Sequence, residues 1–111
     1  MNHAMKLAGP PYRKIEAGTK VIESRLFDEK RQSIAIGDTI EFQLNPNHAE
    51  SVSAKVIALL RYPSFDALMS DFPAALFGGE SKEELLSEIH QFYSSEEEGK
   101  FGVIGIKIEL P

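Results

Sequence analysis

The chain has 111 residues, 42% of them hydrophobic, which suffices for a single domain over residues 1–111 and is short for two. It contains no cysteine, which excludes disulfides and thiolate zinc sites and suits a reducing compartment, so we expect a cytoplasmic protein. No stretch approaches the ~20 apolar residues of a membrane-spanning helix, and the net charge of −5 disfavours a general nucleic-acid coat protein.

Charge is distributed unevenly along the chain. Residues 1–31 carry seven basic and four acidic side chains, a balance of +3, whereas the remainder carries five basic and thirteen acidic ones, a balance of −8. One end of the protein can therefore face an anionic partner that the other end repels. The asymmetry is equally compatible with an ordinary solvated surface.

The first predicted elements are a strand over residues 2–7 and a short helix. Pro10 and Pro11 open this helix, because the dihedral angle of proline is preorganised for the first helical turn. Gly18 ends it, since glycine adopts the left-handed cap conformation at little cost.

Three strands are predicted next, over residues 21–26, 39–44 and 52–60. Side chains alternate between the two faces of a strand. In the first of these strands Glu23 and Arg25 therefore share one face, and Ser24 points to the other. The third becomes wholly apolar near its end, which is typical of a central strand.

Two helices are predicted in the second half of the chain. Ser64 caps the first and Pro73 ends it, and its apolar residues at helical spacing form one buried stripe of Phe65, Leu68, Met69 and Phe72. The second spans about residues 82–93, because Ser81 and Glu84 have the spacing of a capping box. Its buried face is predicted to contain Leu85, Ile89 and Phe92.

An acidic run and a last strand complete the chain. The Glu-Glu-Glu-Gly sequence at 96–99 is interpreted as a solvated loop, and residues 101–110 are predicted as a strand. The order of elements lacks regular βαβ alternation, which favours an α+β fold. We expect a small β-barrel of mixed or antiparallel strands with three flanking helices.

The most informative motif surrounds the start of the second predicted strand. Lys20, Glu23 and Arg25 follow Gly18 in the pattern G-x-K-x-x-E-x-R, and Gly37-Asp38 precedes the next strand. Glu23 and Arg25 are two residues apart, so their Cα atoms lie roughly 7 Å from each other. Glu23 can then orient the guanidinium towards a phosphate or a base while Lys20 adds a point charge. A salt bridge that only joins helix to strand would explain the same charges.

This pattern resembles the ASCH domain, a family with a PUA-like β-barrel whose members are thought to bind RNA. The resemblance covers most of the chain, from residues 3–7 to residues 102–106. It implies a cleft lined by Lys20, Glu23 and Arg25 and sized for a nucleotide or a single RNA strand.

Four further residues are predicted around this cleft. Lys6 and Arg61 extend its positive rim, and Tyr62 and Tyr93 are placed to stack on a base. The two cations also fit a solvated surface, and the two tyrosines also fit the rim of the core.

A hydrolase is the first alternative to a binding protein. A small amidohydrolase of the same fold removes the acetyl group from N4-acetylcytidine with a lysine, a threonine and a glutamate. Lys20 matches its lysine, but Glu23 stands where that enzyme has its threonine nucleophile, and a carboxylate cannot supply the activated hydroxyl. In a ribonuclease, Glu23 would act as general base while Lys20 and Arg25 stabilise the transition state.

A protein–protein adaptor is the second alternative. The region from Met69 to Phe77 contains more apolar side chains than one small core needs, and an exposed patch there would favour a protein partner. No cofactor is predicted. No metal site is predicted either, because His3, His48 and His90 do not have the spacing of metal ligands.

Overall fold

The computed structural model of the chain describes residues 1–46 and 49–111. The strands in these residues are β1 (Asn2–Leu7), β2 (Ile22–Leu26), β3 (Thr39–Leu44), β4 (Ser51–Tyr62) and β5 (Val103–Glu109). The α-helices are α1 (Gly9–Glu16), α2 (Glu29–Gln32), α3 (Phe65–Ser70), α4 (Lys82–Ile89) and α5 (Ser95–Phe101), with a 3-10 helix at Ala74–Phe77. Of these helices, none is long and apolar enough to cross a membrane.

The five strands form one curled sheet in the order β1-β3-β4-β5-β2. The pair β1–β3 is parallel and the other three pairs are antiparallel, so the sheet is mixed, as predicted. The curl gives a half-barrel flanked by helices, which confirms the expected barrel-like α+β fold class. The first two strands of the chain are therefore the two edges of the sheet, and the barrel is open between them.

Apolar clusters cover both faces of the sheet. One cluster contains alternate residues of β5, Ile104, Ile106 and Ile108. The other contains Ile22 and Leu26 of β2 together with α3 and α4. Glu23 and Arg25 pair with Ile106 and Ile104 and so lie on the face of the first cluster.

The prediction of a solvated loop at 96–99 was wrong. These residues lie in α5, which begins with a capping box in which Ser94 and Glu97 satisfy each other's backbone N–H groups. Glu98 is only 7% exposed; its carboxylate accepts a hydrogen bond from the Phe65 N–H (2.8 Å) and bonds His90 Nε2 (2.9 Å). The Ser-x-x-Glu spacing of a capping box is present in the sequence, but the run of three glutamates favoured the interpretation as a solvated loop.

Other differences concern helix number and helix ends. The three predicted helices are present as α1, α3 and α4, and two short helices, α2 and α5, are added. Asp28 caps α2 by accepting a hydrogen bond from the Arg31 N–H. The helix predicted to end at 93 ends at Ile89, and Phe92 consequently lies 75% exposed rather than on the buried face.

Candidate functional site

The three charged side chains of the motif meet in one network. Lys20 Nζ lies 2.8 Å from Glu23 Oε1, and Arg25 Nε donates to Glu23 Oε2 at 2.7 Å. The Glu23 side chain is 5% exposed, and those of Lys20 and Arg25 are 13% and 14% exposed. Both carboxylate oxygens are thus occupied by cations in a nearly dry environment, where such contacts are strong.

The turn after α1 positions Lys20. Gly18 has a φ of +80°, as predicted for the residue that ends this helix, and the Lys20 N–H donates to the Lys14 carbonyl. The Lys20 stem packs on Gly78, where a Cβ atom would lie 3.1–3.2 Å from it. Gly78 itself has a φ of +84°, so both the backbone and the lysine stem require glycine there.

Arg25 is held from three sides. Besides its contact with Glu23, its Nη2 donates to the Lys6 carbonyl at 3.3 Å, which connects β2 to β1 across the open side of the barrel. Tyr93 is the third group that acts on the guanidinium, because its interaction helps to raise the pKa of Arg25. The Tyr93 ring in turn stacks on buried Phe65, with 5.8 Å between ring centroids.

The network determines the protonation of its members. Burial alone would raise the pKa of the Glu23 carboxyl, but the charges and hydrogen bonds of Lys20 and Arg25 outweigh it and lower this pKa to about 2. Burial likewise opposes the charge of Arg25, yet Glu23 and Tyr93 together raise the pKa of its guanidinium. Glu23 and Arg25 are therefore both ionised at neutral pH.

A pocket of about 330 Å³ lies beside this network, between the ends of β1 and β2. Its described lining includes four cationic side chains, Lys6, Lys14, Lys20 and Arg25, and two carboxylates, Glu23 and Glu88. The local charge is thus +2 in a chain whose net charge is −5. All four cations come from the basic segment 1–31, so the fold concentrates the positive charge of that segment at one site.

A family model of the ASCH domain matches residues 5–111, nearly the whole chain. This protein belongs to the ASCH domain family. The resemblance suggested by the charged motif is thereby confirmed.

Two solved structures are similar to this ASCH domain over nearly its whole length. The crystal structure of hypothetical protein PH0355 is 35% identical, covers both chains completely and has a TM-score of 0.88. The solution structure of protein PF0455 from Pyrococcus furiosus is 34% identical, covers 99% of this chain and 97% of that one, and has a TM-score of 0.75. No curated protein matches.

A more distant likeness concerns the fold alone. The crystal structure of the S128A mutant of ZmASCH from Zymomonas mobilis is 14% identical to this chain and has a TM-score of 0.69. It covers 96% of this ASCH domain and 66% of that chain.

The fold separates the predicted site residues into two groups. Lys6, Lys20, Glu23, Arg25 and Tyr93 line the pocket. The other two predicted residues, Arg61 and Tyr62, lie outside the pocket, because they are at the end of β4, which is internal to the sheet and distant from its open side. The Arg61 guanidinium stacks at 3.9 Å on the Phe27 ring. The Tyr62 hydroxyl donates to Asp71 at 2.6 Å.

Sequence reasoning missed two residues of the pocket of this ASCH domain. Lys14 Nζ donates to the Gly78 carbonyl at 2.6 Å and lines the wall next to Lys20. Its position in the helix immediately before the motif was the available signal. Phe92 is exposed and lies at the pocket. Helical periodicity assigned it to the buried face, because no local sequence signal marks the end of α4 at Ile89.

The Gly37-Asp38 part of the motif has a structural role in this ASCH domain. Asp38 bonds His3 Nε2 at 2.8 Å, accepts from the Ala35 N–H at 3.0 Å and pairs with the terminal amine at 3.3 Å. The bond with His3, the Ala35 N–H and the terminal amine together lower the pKa of Asp38 to about 2. These contacts join the starts of β1 and β3, away from the pocket.

The histidines in the described residues have structural partners, Asp38 for His3 and Glu98 for His90. In residues 1–46 and 49–111, no group of three or more metal-binding side chains is close enough to hold an ion. His48 lies outside the described residues.

Proposed function

We propose that this ASCH domain binds a nucleotide unit of single-stranded RNA in the pocket beside Lys20, Glu23 and Arg25. The observation that carries the proposal is the buried network itself: Glu23 orients the guanidinium of Arg25 while the pocket keeps a local charge of +2. A guanidinium oriented in this way presents paired donors to a phosphate, and Lys20 and Lys14 add positive charge at the same wall. The volume of about 330 Å³ lies in the range of small-ligand pockets.

The protonation of Glu23 favours binding over hydrolysis. A general base works best when its pKa is near the operating pH. The pKa of Glu23 is about 2 and both of its oxygens are already paired, so it is a poor proton acceptor at neutral pH.

The neighbouring hydroxyls do not supply a nucleophile either. Thr19 Oγ1 donates to the Lys14 carbonyl at 3.1 Å. Ser24 pairs with Gly105, whose Cβ position faces Leu68 and Ile22, so the Ser24 side chain points to the second apolar cluster. Neither geometry resembles a nucleophile activated by an adjacent base.

The Met69–Phe77 segment does not favour the adaptor. Met69 and Phe77 are buried, and Phe72 and Leu76 pack against the second apolar cluster. The apolar surplus that suggested a protein partner is therefore used within the core.

Phe92 is proposed as a stacking surface for a base. A base on its ring would be adjacent to the cations that hold the phosphate. We expect Phe92→Ala to lose ~1–3 kcal/mol of RNA-binding free energy while leaving thermal stability nearly unchanged. Ile36→Ala, at an apolar residue that is also largely exposed (66%) but lies outside the pocket, is the matched control.

A second variant reports the stacking directly. The chain contains no tryptophan, so Phe92→Trp introduces a single indole, whose emission can be excited apart from that of the three tyrosines. RNA should quench its emission in parallel with binding, because a stacked base contacts the indole ring. Unchanged emission at saturating RNA would exclude stacking at this position.

The proposed function is tested by thermal shift and by turnover. Short single-stranded RNAs should raise the melting temperature in a concentration-dependent manner, because a ligand of the folded form stabilises it. The same RNAs and N4-acetylcytidine should be recovered intact after incubation. Product that grows in proportion to protein would replace the binding proposal with a hydrolase.

A further inference from the structure

The backbone of β2 has an unpaired edge that faces the pocket. In the antiparallel pair of β2 and β5, the Ile108 N–H donates to the Val21 carbonyl and the Phe27 N–H donates to the Gly102 carbonyl. Odd-numbered residues of this segment therefore direct their backbone groups to β5. Ser24, between them, directs its N–H and C=O to the opposite side, towards the open edge of the sheet.

The opposite edge of the opening follows the same rule. In the parallel pair of β1 and β3, the Met1 carbonyl accepts from the Thr39 N–H, and the Leu7 carbonyl accepts from the Asn45 N–H. Odd-numbered residues of β1 therefore direct their backbone groups to β3, and the even-numbered Lys6 directs its own outward. The bond from Arg25 Nη2 to the Lys6 carbonyl shows that this edge faces β2. The pocket thus separates two strand edges that would pair if the barrel were closed.

Ser24 lines the pocket and is only 8% exposed. In the described residues its N–H and C=O have no protein partner on the open side. These two backbone groups face the pocket with no protein partner, so this position favours a guest that supplies both a donor and an acceptor in place of water.

We propose that the backbone N–H and C=O of Ser24 bind the Watson–Crick edge of the base, an inference that rests on the proposed function. The two groups of one extended residue point the same way, as an adjacent donor and acceptor. Each RNA base presents an adjacent acceptor and donor on its Watson–Crick edge. The site therefore selects unpaired bases of any identity and rejects bases whose Watson–Crick edge is blocked.

A pair of methylated RNAs isolates this contact. A hexamer in which every base is N3-methyluridine should bind about tenfold more weakly than unmodified uridine hexamer, because the methyl group removes the base donor and leaves the Ser24 carbonyl unpaired beneath the bound base. A hexamer in which every base is 5-methyluridine carries the same number of extra methyl groups away from this edge and should bind as the unmodified RNA does. Equal affinity of the two methylated hexamers would overturn the proposal while leaving the proposed function intact. No binding of any hexamer would reject both.

Two substitutions test the protein side of the contact. Ser24→Pro removes the N–H from an edge strand at a position where it makes no ladder bond, which is where a strand tolerates proline. It should weaken binding of uridine hexamer about tenfold, whereas Ala4→Pro, at an outward-facing position of the other edge strand and outside the pocket, should not. Wild-type affinity in a folded Ser24→Pro protein would overturn the proposal, and if this variant does not fold, the methylated RNAs decide alone.

Discussion

Replacing Glu23 by Gln should lower the free energy of unfolding by roughly 3–5 kcal/mol, the cost of removing one partner from a buried ion pair. The variant keeps the shape of the side chain but leaves Lys20 and Arg25 nearly buried without a counter-charge. Urea denaturation at neutral pH measures the change. Glu50→Gln, which removes one of the two acidic partners of Arg13 in an exposed cluster, is the matched control and should change stability little.

The loss should also depend on pH in a defined direction. The pKa of Glu23 in the folded protein is about 2, below its ordinary 4.5, so its ionisation stabilises the fold above pH 4.5. This contribution disappears as pH falls from 4.5 towards 2. The stability difference between wild type and Glu23→Gln should therefore be constant above this window and shrink within it. A difference that does not change across the window would mean that Glu23 is not charged in the folded protein.

Replacing Arg25 by Ala should reduce affinity for single-stranded RNA by about 1.5–3 kcal/mol, or roughly 10- to 150-fold. Arg25 supplies the oriented donors of the pocket, and no neighbouring side chain can reproduce its planar geometry. Arg25→Lys keeps the charge but loses that geometry, and should recover only part of the affinity. Fluorescence anisotropy with a labelled RNA at one fixed salt concentration measures these differences.

The control for charge alone is Lys82→Ala. Lys82 Nζ pairs with exposed Asp66 at 3.2 Å, and the residue lies outside the pocket. Its removal changes the net charge by the same amount as removal of Arg25. Equal losses of affinity in the two variants would show that RNA responds to the overall charge and not to this site.

Combined apolar replacement separates function from stability in the same network. Buried ion networks can often be replaced by apolar residues of similar size without loss of stability. If Lys20, Glu23 and Arg25 are retained for ligand binding, the variant Lys20→Met, Glu23→Leu, Arg25→Met should remain folded while it no longer binds RNA.

Local patterns predicted those parts of the fold that depend on local interactions. Alternation located the strands, and the faces assigned to Glu23 and Arg25 were correct because side-chain direction in a strand has a period of two. Gly18 and Ser81 marked helix boundaries because left-handed conformation and side-chain capping involve residues within one turn. At Ser94 and Glu97 a capping signal competed with a run of acidic residues, and the segment was wrongly predicted to be a loop.

The sequence by itself thus determined the family, the strand pattern and which three charges share one end of β2. Only the tertiary structure decided that β1 and β2 become the edges of an open barrel. It alone showed that Lys14 joins the pocket between them and that Phe92 lies at the pocket rather than in the core. Arg61 and Tyr62 were separated from the site for the same reason. Proximity between distant segments follows from how the whole sheet curls, and curl is a property of five paired strands that no local window of the sequence contains.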